Sequence, residues 1–262
     1  MRFTDRRHAG RALAQWLRAP TGTETGPPDP AGPTDTETGP SDPAGPAGPS
    51  AAYGPSGMSD VPDTAPWPYG AADPLVLALP RGGVPVAAEV AQEFRAPLDV
   101  LVARKIGVPG SPETGIGALV GEEQPVFDQR ALRFLGLAED GLAPSVARER
   151  AELHRREDLY REGRPEPRIT GRAVLLVDDG LATGLTALAA LRYLRRRQPA
   201  HVALAAPVGS RNAVMELSGE ADRVLVLHQP DHFRAVGEWY DDFDQVGDDE
   251  VIAVLRAASS AA

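Results

Sequence analysis

The chain has 262 residues, a formal net charge of −10 and no cysteine. That length suits one large domain or two small ones, and the lack of cysteine excludes disulfides, thiolate metal sites and a cysteine nucleophile. Residues 1–7 are charged with no apolar run behind them, and no apolar run approaches membrane-spanning length, so the expectation is a cytoplasmic protein with no membrane partner.

In chain order, residues 5–18 are predicted as a short amphipathic helix with Ala9, Leu13, Trp16 and Leu17 on its apolar face. So short a helix needs a surface to pack on, and segment 1–19 is expected to dock on the main domain. Residues 20–72 are of low complexity. Half of the 26 prolines fall between Pro20 and Pro68, and an eleven-residue unit starting at Thr23 returns at Thr36 with one change. No apolar face repeats, so this segment is expected to be a disordered insert and not a solenoid. It also carries much of the charge. Eight acids and no Lys or Arg lie between Pro20 and Asp73, and without those eight the −10 becomes −2. The remainder is nearly balanced, so charge gives no reason to expect nucleic-acid binding.

Residues 73–258 are expected to form the main domain, with strands and helices in alternation. Strands are predicted at 75–79, 98–103, 116–120, 174–177, 202–206 and 224–227. Helices are predicted at 84–94, 143–163, 185–197 and 212–217. Such alternation implies a parallel α/β sheet. Ligands of these sheets bind beyond the strand C-terminal ends, so chemistry is expected just after Leu79, Ala103, Val177, Ala206 and Leu227.

The most informative of these places is the stretch from Val174 to Thr186. A short Val/Leu run reads as a strand buried on both faces, and it stops at Asp178 and Asp179. Gly180 and Gly184 allow a tight turn, and Thr183 and Thr186 stand where the next helix begins. Helix-start N–H groups suit a phosphate, and the two carboxylates can accept hydrogen bonds from vicinal hydroxyls. A phosphate beside a diol describes a 5-phosphoribosyl group. A P-loop would need a Lys before its Ser/Thr, and a dinucleotide site would need Gly-x-Gly-x-x-Gly; neither is present. A receiver-type acidic pocket would not require the Thr-Gly-x-Thr turn.

This motif resembles the phosphoribosyl pyrophosphate (PRPP) motif of type I phosphoribosyltransferases. The pattern from Arg6 to Asp242 is similar to a group of bacterial predicted phosphoribosyltransferases. The resemblance implies an α/β fold of type I phosphoribosyltransferase kind: a central parallel sheet with helices on both faces and a small C-terminal hood. It implies that Asp178 and Asp179 hold the ribose hydroxyls and face Mg²⁺, and that Gly180, Ala182, Thr183, Gly184 and Thr186 wrap the 5′-phosphate. Arg81, Gly82 and Gly83 would bind pyrophosphate. Arg104 and Lys105, ahead of a Gly/Pro loop, would close over it as catalytic cations, with Glu113 a candidate acid/base. An aromatic of the last strand end would stack the base: Phe233, with Trp239 and Tyr240 as alternatives. The implied partners are PRPP and a small-molecule nitrogen acceptor, and a homodimer is allowed for. A PRPP-sensing regulator without turnover, and a hydrolase of phosphoribosyl compounds, stay open at this point.

Overall fold

The structure is a computed structural model that describes residues 2–18 and 73–261. The insert expected at 20–72 lies outside the described residues. The elements are α1 (Arg6–Arg18), β1 (Pro74–Ala78), α2 (Gly83–Phe94), β2 (Leu98–Val100), β3 (Ala103–Val108), β4 (Ser111–Val120) and β5 (Val126–Phe127). There follow α3 (Gln129–Leu135), α4 (Ala143–Arg161), β6 (Ala173–Val177), α5 (Leu185–Arg196), β7 (His201–Val208), α6 (Arg211–Leu217), β8 (Arg223–His228) and α7 (Asp248–Ala261). Among the described residues no helix is long and apolar enough to cross a membrane.

Five strands form a parallel sheet in the order β2-β1-β6-β7-β8. Its two faces follow from the period-2 alternation of side chains along each strand. Val76 and Ala78 of β1 and Leu175 and Val177 of β6 point into one core with residues of α1, α2, α4 and α7. Leu75 and Leu77 of β1 and Val174 and Leu176 of β6 point into the other, with α5 and α6. This two-sided burial explains why β6 is an unbroken apolar run: all five of its residues are buried. Each large side chain so buried contributes roughly 1.5–3 kcal/mol relative to exposure. The architecture is the central parallel sheet with helices on both faces.

Three differences from expectation bear on the site. The apolar stretch 98–103 is not one strand. The chain leaves the sheet after Val100, and Ala103 opens β3, which pairs antiparallel with β4. No Gly or Pro marks that break, so the pattern gives no sign of it. Residues 116–120 accordingly belong to β4, in a separate three-stranded antiparallel sheet β3-β4-β5, and not to the parallel sheet. Finally, α3 and α7 have no counterpart in the predicted elements, and α7 runs past residue 258 to Ala261. The first is only seven residues long, and the second ends in a mixed Ala/Ser tail.

Candidate functional site

The strand registers bring three loops to one edge. Ala78 pairs with Val177, and Val177 with Ala205. The ladder continues one step past the strands, as Leu79 N–H donates to Val177 O and Asp178 N–H to Ala205 O. The loops after β1 and β6 therefore emerge side by side. Between β1 and β6 the sheet also changes direction: β1 leads outward to β2, whereas β6 leads the other way to β7 and β8. A crevice at such a switch point is where open α/β sheets bind ligands. A cavity of about 580 Å³ lies there.

Asp178 and Asp179 line this cavity, as do Gly180, Ala182, Thr183, Gly184 and Thr186. Burial pushes the Asp178 carboxyl up to about 8, and the charge of Asp179 adds to the shift. Asp178 also accepts the Asp179 backbone N–H at 2.8 Å. Burial raises Asp179 as well, against the pull of Arg6, whose Nε donates to Asp179 Oδ2 at 2.8 Å. Two adjacent desolvated carboxylates favour a ligand that brings hydrogen-bond donors or positive charge.

The loop behind the acids ends at a helix start without a side-chain cap, as do the loops before α2 and α4. Gly184 sits in the left-handed region at φ +73°, where a glycine is favoured, and it offers α5 no side-chain cap. Only the Thr183 hydroxyl reaches a first-turn amide, Leu185 N–H, at 3.4 Å. By contrast α3 and α6 are closed by their own residues, Asp128 and Ser210. The first N–H groups of α5, unlike those of α3 and α6, remain for an anion. Ser210 Oγ–H supports the loop instead, donating to Ala182 O at 2.7 Å.

The loop after β1 contributes Arg81 and Gly82 to the lining, and Gly83 starts α2 behind them. A side chain at residue 82 has no room: a Cβ there would come within 1.9 Å of Asp179 Oδ2. Arg81 is ion-paired to Asp248 at 3.5 Å, and Asp248 also accepts Tyr160 O–H at 2.6 Å.

The β3–β4 hairpin supplies Arg104 and Lys105. Both are strand residues and not loop residues, because β3 carries them along the cavity wall. Arg104 is held by Glu149 of α4, with contacts of 2.7 and 3.1 Å to one carboxylate oxygen. Lys105 is exposed and makes no ion pair among the described residues, and its charge favours the ionised forms of Asp178 and Asp179. It is the only lysine in the chain, beside 26 arginines. Lysine is a compact charge on a flexible stem and arginine a planar fork, so the one Lys stands where a cation unclamped by an acid meets the cavity. The side chain of Glu113 lies outside the described part of β4.

Phe233 does not line the cavity. It packs, with Trp239, beside buried Phe3 and Tyr240 in a small apolar cluster. Tyr240 is an anchor whose hydroxyl donates to Asp179 O at 2.6 Å. The reason is supplied by the N-terminus: Phe3 pairs with Tyr240 along the backbone and gives these aromatics their partner. The hood residues that reach the cavity are Val236 and Phe243. Residues directly after Ala206 and Leu227 also stay out, since β7 and β8 run on to Val208 and His228. Four groups at the site escaped the sequence reading: Arg6, Glu149, Val236 and Phe243. All act across long sequence separations that no local pattern shows.

Residues 63–243 match the family model for a phosphoribosyl transferase domain. Two curated Mycobacterium tuberculosis proteins, provisionally named phosphoribosyl transferases Rv0571c (strain H37Rv) and MT0597 (strain CDC 1551), are each 44% identical over 184 residues, 70% of this chain. The chain spans 42% of the length of each of these relatives. The crystal structure of TT1426 from Thermus thermophilus is 37% identical, with a TM-score of 0.65 over 97% of this chain and 98% of that one. Sequence and fold agree, and the chain belongs to the phosphoribosyl transferase domain family.

Proposed function

We propose that this cavity binds PRPP with Mg²⁺ and transfers its 5-phosphoribosyl group to a nitrogen acceptor of nucleobase kind, releasing pyrophosphate. The observation that carries this reading is the meeting, in one cavity, of an acidic pair, an uncapped helix start and the chain's sole lysine.

In this reading Asp178 and Asp179 accept hydrogen bonds from the ribose 2′ and 3′ hydroxyls. The amides from Gly180 to Thr186, with the Thr183 and Thr186 hydroxyls, hold the 5′-phosphate. Arg81, Arg104 and Lys105 meet the pyrophosphate, with Gly82 and Gly83 letting the backbone come close. Phe243 and Val236 flank the acceptor. Glu113 is retained as the candidate acid/base on the hairpin.

The donor set fits Mg²⁺. Among the described residues no three His, Cys, Asp or Glu side chains stand together as a metal cage, whereas Asp178 and Asp179 offer hard oxygens. Mg²⁺ suits one or two carboxylates, substrate phosphates and retained waters. When bound it supplies neutralisation of pyrophosphate oxygens. The protein's own part is to hold the ribose still while the bond from C1′ to pyrophosphate breaks and the bond to the acceptor nitrogen forms. Such a transition state builds positive charge at C1′ and negative charge on the leaving group. Positioning and fixed charge then accelerate it, with no protein nucleophile.

Pyrophosphate release from Mg-PRPP, measured with adenine, guanine, hypoxanthine, xanthine, uracil and orotate in turn, tests the reading. Release that depends on one of these acceptors is expected. Tight Mg-PRPP binding with no release from any acceptor would favour a PRPP-sensing regulator. Release without an acceptor would favour a hydrolase.

A further inference from the structure

We propose that Arg6, at the start of α1, is a positioning residue that holds the Asp179 carboxylate in its binding orientation. The N-terminal helix is then part of the substrate site. This inference rests on the reading of the cavity as a Mg-PRPP site.

Arg6 is outside the cavity lining, and its side chain is only 11% exposed. From there the guanidinium makes three contacts in different directions. Nε donates to Asp179 Oδ2 at 2.8 Å, Nη1 donates to Asp244 O at 2.7 Å, and the plane lies over the Phe243 ring at 4.0 Å from its centroid. Its placement is secured by backbone pairing. Phe3 N–H donates to Trp239 O at 2.8 Å, Asp241 N–H to Phe3 O at 2.8 Å and Asp242 N–H to Thr4 O at 2.9 Å. Residues 3 and 4 are thus tied to segment 239–242 through an isolated bridge at Tyr240, and Phe3 is fully buried.

Two neighbouring carboxylates repel, and a side chain as short as Asp has alternative rotamers that move them apart. A buried positive charge on one oxygen of Asp179 offsets the repulsion and selects one rotamer. The backbone at Gly82 closes over the same oxygen: a Cβ there would lie 1.9 Å from Asp179 Oδ2 and 3.1 Å from Arg6 Nε. Because Arg6 lies outside the lining, the pairing takes no room from a ligand. The three contacts need a planar fork with a stacking face. A lysine can restore the charge but not the set.

The test uses the full chain with Arg6→Met and Arg6→Lys. Calorimetry with PRPP and MgCl₂ should show Arg6→Met weakened on the order of tenfold or more, and Arg6→Lys recovering part of that loss. A thermal cycle with Asp179→Asn supplies a readout without ligand. Arg6→Met should lower the melting temperature in the wild-type background and much less beside Asp179→Asn. Unchanged affinity in a folded Arg6→Met protein would overturn the proposal. No recovery in Arg6→Lys together with additive thermal losses would also overturn it, leaving a structural contact only. A wild-type protein that fails to bind Mg-PRPP would overturn the functional reading and the role given to Arg6 within it, while the thermal cycle would still register the Arg6–Asp179 contact.

Discussion

The β6–α5 loop and the β3–β4 hairpin line one cavity but are built in opposite ways. The loop grows out of the middle of the parallel sheet, from a strand buried at every position, and Ser210 and Tyr240 fix its backbone at Ala182 and Asp179. The hairpin stands outside that sheet. Its pairing register shifts twice, around Gly107, and Ser111 and Thr114 beside its turn are exposed. The base of the hairpin is buried, with Ile106, Ile116, Ala118 and Leu119 fully covered, so local opening is easiest at its tip, where few apolar contacts are buried. Under the proposed function the loop, preformed on the core, would bind the ligand, and the hairpin, which carries the unclamped Lys105, would meet it from the other side. Arg6, Arg81 and Arg104 are each paired with an acid, which leaves Lys105 to respond to a ligand.

The largest expected effect lies on the loop side. Asp178→Asn with Asp179→Asn keeps shape and removes both acceptor charges. At about 1.5–3 kcal/mol for each hydrogen bond to a charged group, Mg-PRPP affinity should fall by on the order of 10²-fold or more. Calorimetry checks this, and circular dichroism should show the fold unchanged. Undiminished affinity would break the assignment of the loop to ribose.

Lys105→Ala tests the hairpin side. A cation that meets charge developing on the leaving group counts for more in the transition state than in the ground state. Turnover should fall by on the order of 10²-fold, with a smaller change in PRPP affinity. Equal losses in both would make Lys105 an ordinary binding group and erase the distinction between the two regions.

Gly82→Ala joins the two sides. Its methyl group would displace Asp179 Oδ2, so Mg-PRPP should bind roughly tenfold more weakly, on the scale of one charged hydrogen bond. Parent-like binding would mean that the Asp179 orientation is unimportant.

The remaining effect is on stability, read without ligand. Asp178 has a folded pKa raised to about 8, first by burial and then by Asp179. A raised carboxylate contributes stability that is complete below its unfolded pKa and is lost as pH rises through the folded one. Asp178→Asn should therefore melt above wild type by a margin that widens from about pH 4 to about pH 8 and then levels. Melting curves without ligand across that range check it; a constant margin would show that the acid carries no strain of burial.

The same contrast explains what the sequence could tell. The strand-acid-loop-helix order at 174–197 is local, so composition and period reveal it, and the stretch from Asp178 to Thr186 that lines the cavity is legible. The loop at 80–83 was legible for the same reason. The hairpin was legible only as cations near glycines, because antiparallel pairing of 103 with 120 is not written in either segment. Phe243 was hidden because its role depends on which aromatics Phe3 buries. Arg6 was invisible because 173 positions separate it from Asp179, and only the folded chain brings them together.

Because Lys105 is the only lysine, one experiment reads both regions at once. Acetylation of the full chain with acetic anhydride, followed by mass spectrometry, reports Lys105 reactivity, with the α-amino group as internal reference. Saturating Mg-PRPP should protect Lys105 in wild type, and protection should vanish in the Asp178→Asn, Asp179→Asn protein. Lys105 acetylated at one rate with and without Mg-PRPP would contradict a single ligand held between the loop and the hairpin.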